Sequence, residues 1–88
     1  MKHYFVKYGD FANSYHVCCC ESTDAEVNVT LRNEGYERIT RKEAEALCRR
    51  ERERRRETPS CARYATAYIQ EAYFGVDGWL VFRNPRGA

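Results

Sequence analysis

Two boundary signals bracket residues 41–57 and limit more than anything else what this chain can fold into. Thr40 and Glu43 have the spacing of a capping box, in which each side chain satisfies an orphan backbone N–H of a helix's first turn. Ile39 and Ala44 stand where a hydrophobic staple would join them. At the other end, Thr58-Pro59 pushes the backbone out of the helical region. A helix from Arg41 to about Glu57 follows. Its apolar stripe is Ala44, Leu47 and Cys48, and the next positions are Glu51 and Arg55. The helix is therefore expected to pack along its first half and to turn charged all round in its second.

That second half, CRRERERRRE, holds six arginines and three glutamates. Segment 41–57 carries eight basic and five acidic residues, a net +3 against +2 for the whole chain, so the excess positive charge sits on one element. The glutamates are placed to pair: Glu45 with Arg49, Glu51 with Arg54 and Arg55, and Glu53 with Arg56. Each such pair supports a helix by about 0.2–0.5 kcal/mol, and late arginines suit its negative end. One interpretation is a solvated helix end. The other is an anion site, since the pairs do not use every arginine. Arg50, Arg52 and Arg56 are expected on one side, joined by Arg49 or Arg63 if the next helix folds back. A guanidinium fork matches phosphate and carboxylate geometry.

Before this helix, HYFVKY (3–8) and SYHVCCC (14–20) alternate around the turn-rich GDFANS, which is the pattern of a β-hairpin. Tyr4, Val6 and Tyr8 are expected to face the core. Thr23 and Glu26 have capping-box spacing, and Gly35 stands where a left-handed residue would close a helix over 24–34. Val27, Val29 and Leu31 alternate like a strand, which is the rival assignment there. YERI (36–39) is short and extended. After Pro59, Ala62, Ala65, Ile69, Ala72 and Tyr73 recur at helical spacing, so a third helix is expected over 60–74, capped by Ser60 and closed by Gly75. WLVF (79–82) has the composition of a buried strand, and the polar RNPRGA is expected to fray. The order β-β-α-β-α-α-β, with the N-terminal hairpin and a C-terminal strand in a small antiparallel or mixed sheet and two to three helices on one face, defines an α+β class. At 88 residues the chain is a single domain, 1–88, with a marginal core that oligomerisation would supplement.

Tyr64 and Tyr68 would lie one turn apart on the third helix, off its alanine stripe. They are core residues, or an exposed pair beside arginines with the composition of a base-stacking or protein-binding face. Cys18-x-Cys20 is too tight for a zinc pair and has no second pair, so no metal and no cofactor are expected. The five cysteines read as small buried hydrophobes. His16 and Cys18 share a strand face, but a thiol nucleophile would need an orienting carboxylate that no pattern supplies. The chain has no glycine-rich phosphate loop and neither a zinc-protease nor a serine-hydrolase motif, so a non-enzyme is expected. No apolar run reaches membrane-span length, and MKHYFVKYGD has no signal-peptide core, so a cytoplasmic protein with reduced thiols is expected.

Residues 35–69, GYERITRKEAEALCRRERERRRETPSCARYATAYI, resemble small uncharacterised proteins encoded by phages and mobile elements of gut Gram-positive bacteria. The shared features are a glycine-tyrosine turn, a capped R-K-E-A-x-x-L-C helix, a proline and an aromatic-alanine segment. They cover about two fifths of the chain, and the N-terminal hairpin with its three cysteines is not matched. These features are caps and core positions and bring no activity with them. The resemblance implies a setting in which small accessory proteins act by binding. Some block a host defence protein such as a CRISPR nuclease, and others sequester a nucleotide immune signal. The expectation is thus a homo-oligomeric counter-defence protein that holds a phosphorylated ligand, a nucleotide signal or nucleic acid. Arg49, Arg50, Arg52, Arg56 and Arg63 would carry the phosphates and Tyr64 or Tyr68 would stack. The alternative is a protein–protein inhibitor of a host defence enzyme, working through the helix pair or the GDFANS loop.

Overall fold

The hairpin forms as its alternation predicts. β1 (Lys2–Tyr8) and β2 (Tyr15–Glu21) pair antiparallel, from Lys2 opposite Glu21 to Tyr8 opposite Tyr15. The computed structural model describes residues 1–11 and 13–85, so part of the tail expected to fray lies outside the described residues. Its remaining elements are α1 (Ala25–Asn33), β3 (Glu37–Ile39), α2 (Arg41–Glu57), β4 (Gln70–Phe74) and β5 (Leu80–Arg83). They complete a five-stranded mixed sheet in the order β3-β1-β2-β4-β5, in which only β2 and β4 are parallel. The α+β class, the hairpin and the C-terminal strand are as expected.

The local end signals also hold. The Thr40 hydroxyl accepts from the Glu43 N–H at 3.1 Å while the Glu43 carboxylate accepts from the Thr40 N–H at 3.2 Å. Gly35 has φ +94°, and the Tyr36 N–H donates to the Leu31 carbonyl at 3.0 Å, the Schellman closure of α1. The start of α1 shifts by one residue. Asp24, not Thr23, is the cap, accepting from the Val27 N–H at 3.3 Å. Helix prevails over strand at 27–31 because both ends are closed locally.

Two expectations are corrected. The helices do not share one face of the sheet. Phe5, Cys18 and Cys20 pack under Val27 and Leu31 of α1, while their strand neighbours Val6 and Val17 pack under Ala44 and Cys48 of α2. Adjacent strand residues point to opposite faces, so α1 and α2 cover opposite sides. This is why Phe5 and Val6 are both fully buried, and why β2 can carry three consecutive buried cysteines.

The third helix is absent. Residues 58–69 run as irregular chain and continue into β4. Ala65 makes an isolated parallel bridge with Tyr15, the Thr66 N–H donates to the Tyr15 carbonyl, and the Thr66 hydroxyl accepts from the Val17 N–H at 2.9 Å. The free edge of β2 thus takes up the backbone groups that a helix would have satisfied internally. QEAYF, with Ala72 buried and Tyr73 exposed, alternates as well as any strand. Gly75 opens the β4–β5 turn instead of closing a helix, with its N–H donating to the Trp79 carbonyl at 2.9 Å. The last strand starts one residue later than expected and is half-buried at a sheet edge, and Trp79 is exposed. No described helix is long and apolar enough to cross a membrane.

Candidate anion-binding site on the flank of helix α2

The irregular segment 58–69 explains half of the arginine run. Chain without a ladder leaves carbonyls that need donors, and α2 supplies them. Arg54 donates to the Ala62 carbonyl at 2.6 Å and to the Cys61 Sγ at 2.7 Å. Arg55 donates to the Ala65 carbonyl and Arg52 to the Ala67 carbonyl, each at 2.6 Å. Between them lies Glu51, which is 1% exposed although it was expected on a charged surface. Its two oxygens accept from Arg54 at 2.7 and 2.8 Å and from Arg55 at 2.6 Å. Burial alone would raise this carboxyl. The two guanidiniums outweigh it and hold Glu51 below its ordinary value. One side of the second half of α2 is therefore packed, with one buried carboxylate orienting two arginines onto the neighbouring backbone. Of the expected pairs, those of Glu51 form, and Glu45 pairs with Arg41 instead of Arg49.

The seven candidate binding residues divide. Arg52, Arg56 and Tyr68 come together. With Arg55 and Ala67 they line an open depression of about 410 Å³ that no carboxylate among the described residues borders. Bonded to Ala67, the Arg52 guanidinium lies 5.0 Å from the centre of the Tyr68 ring, a cation–π contact. Arg49 is exposed, one turn before Arg52 on the same flank. Arg50 does not join them. It sits among Asn13, Glu53, Arg54 and Glu57, because two residues along a helix turn the side chain to the far side. Arg63 reaches only the Pro59 carbonyl, at 3.4 Å, and borders neither depression of the Arg52 flank. Tyr64, freed from any helix, stacks on Phe11 of the hairpin loop with ring centres 5.3 Å apart, away from Tyr68.

The Arg52–Tyr68 pair also borders a second cavity, of about 300 Å³, floored by Tyr4, Cys19, Cys48 and Ile69. None of those four was singled out as a binding residue from the sequence. The spacing Arg41, Glu45, Cys48, Arg52, which lays one flank along α2, is the signal that could have found this cavity. On the α1 face, His16 and Cys18 form no catalytic pair. The His16 Nδ1 meets the Tyr36 hydroxyl at 2.5 Å and its Nε2 meets the Gln70 Oε1 at 2.6 Å. Gln70 donates its amide to Asn84 at 3.0 Å, so its oxygen faces His16, which makes Nε2 the protonated nitrogen of a neutral ring. Burial lowers His16 and pushes the neighbouring Cys18 thiol up to about 12, the opposite of what a nucleophile needs.

No protein-family model, curated protein or solved structure matches the chain.

Proposed function

We propose that this protein is a non-enzymatic binding protein that captures a phosphorylated ligand on the flank of α2, in a counter-defence setting such as the resemblance of residues 35–69 implies. One observation carries this. The depression over Arg52, Arg55 and Arg56 contains three arginines, a tyrosine ring and, among the described residues, no carboxylate. Arg52 is held by Ala67 and Tyr68 before any ligand arrives, so little side-chain entropy is left to lose on binding. It gives one N–H to Ala67, and among the described residues its other N–H groups have no protein acceptor. Arg56 lies one turn on and makes no ion pair among the described residues.

A second observation favours a protein-inhibitor function. Phe11 is 67% and Tyr64 60% exposed, and they stack beside the hairpin loop. An exposed aromatic pair of this kind is the composition of a protein-binding hot spot.

The test is native mass spectrometry of protein purified from a bacterial host, in gentle buffer and then after denaturation, which reports subunit count and retained mass together. Ligand capture gives a phosphorylated small mass or oligonucleotide that is lost in the double variant R49A/R56A and kept in F11A. A bare protein that also fails to bind phosphorylated probes at low salt would overturn the ligand proposal. A host protein bound by wild type and R49A/R56A but not by F11A would establish the alternative.

A further inference from the structure

Resting on the anion site just proposed, we infer that its ligand is a single nucleotide, with the aromatic base in the cavity floored by Tyr4, Cys19, Cys48 and Ile69 and the phosphate on Arg52 and Arg56. The cavity follows from a mismatch of widths. Five strands about 4.8 Å apart span roughly 19 Å, whereas one helix covers about 10 Å. α2 packs over β1 and β2, leaving a trough between its flank and β4. At about 300 Å³ the trough sits at the small end of ligand cavities, with room for a ring system and not for a peptide helix.

The lining agrees with a flat, mostly apolar group. Ile69 is aliphatic, Tyr4 and Tyr68 are aromatic, and Cys19 and Cys48 are buried thiols that burial keeps protonated and uncharged. At the rim, Lys2 pairs with Glu71 at 3.0 Å and Arg41 with Glu45 at 2.9 Å. Arg41–Glu45 is internally neutral, whereas Glu71 is shared between Lys2 and Arg83, which donates to its other oxygen at 2.9 Å. The two carboxylates can accept from the exocyclic amine of a base or from sugar hydroxyls. At about 300 Å³ the trough has room for one ring system and none for a second base, which selects one nucleotide. Arg52 and Tyr68 border both cavities, so the junction of ring and phosphate falls on the residue pair that α2 already holds in place.

The experiment is an NMR titration of the full chain with AMP, adenosine, inorganic phosphate and a short oligonucleotide. AMP is expected to move resonances of Ile69, Tyr4 and Cys19 together with those of Arg52 and Arg56. Adenosine should move the first set and leave Arg56 unmoved, and phosphate should move only Arg52 and Arg56. AMP should bind at least about tenfold tighter than phosphate, as a second set of contacts requires, and no weaker than the oligonucleotide per site. I69F, which narrows the cavity, should weaken AMP and leave phosphate unchanged. If AMP and phosphate move Arg52 and Arg56 alike and nothing reaches Ile69, the base site is wrong and the anion site stands. If neither moves Arg52 or Arg56, both proposals fail. If the oligonucleotide binds more tightly per site than AMP, the single-nucleotide assignment is overturned.

Discussion

The two faces of the sheet are held by different physics. On the α1 face, Phe5, Cys18, Cys20, Val27, Leu31 and Ala72 form an apolar layer, and its polar groups, His16 between Tyr36 and Gln70 and Asn28 beside His3, bond to one another and to backbone carbonyls. The α2 face has an apolar start at Ala44 and Cys48, then a charged finish in which Glu51 aims Arg54 and Arg55 at carbonyls of an irregular segment. The first face has its buried polar side chains satisfied within the fold. The second keeps a trough, and beside it Arg52 and Arg56 make no ion pair among the described residues. Holding a segment with side-chain donors, instead of covering the sheet with a second helix, leaves surface available for a ligand.

Breaking the apolar layer should cost most. Leu31→Ala removes a fully buried side chain and should lower unfolding free energy by about 3 kcal/mol in urea denaturation, with unchanged binding of phosphorylated probes. A small single domain has little more than that to lose. The charged layer comes next. Glu51→Ala leaves two guanidiniums without their carboxylate, but both are partly solvated, so about 2 kcal/mol is expected instead of the larger loss of a fully buried pair. Glu51→Leu should recover part of it while releasing Arg54 and Arg55 from segment 61–65. Unchanged protection of that segment's amides in hydrogen exchange would contradict the orienting role. The smallest effect concerns pH. Burial lowers His16 from its ordinary 6.5, against the Gln70 bond, which raises it, and with Lys7 acting in the same direction as burial. The unfolded chain therefore binds the proton first. Stability should be complete above about pH 6.5 and decline as pH falls below it, and His16→Gln should flatten that slope.

What could be read from the sequence was local. The capping box at Thr40–Glu43 and the Leu31–Gly35–Tyr36 closure rest on partners within a few residues, and both formed as spaced. The cysteines, read as small hydrophobes, are buried at four of their five positions. The alanine spacing at 62–72 misled because it is equally open to a chain whose partner is the far edge of β2. Alanine fits against either, and long-range pairing decided. The arginines misled for the same reason. Their acceptors are carbonyls eight to fifteen residues away that only exist as acceptors once the third helix is absent. The separation of Arg50 from Arg52 needed no structure, since helical geometry alone places them on different sides.

The central claim is that the arginine run divides by role, with Arg54 and Arg55 fastening the chain and Arg52 and Arg56, flanked by the exposed Arg49, left for a ligand. The most direct measurement is urea denaturation of R54A/R55A and R49A/R56A beside wild type, at low and high salt. The expected result is a loss of about 2 kcal/mol or more for R54A/R55A, whose removal orphans Glu51 and two carbonyls, and a change within about 0.5 kcal/mol for R49A/R56A. Equal losses for both pairs, or none for either, would contradict it.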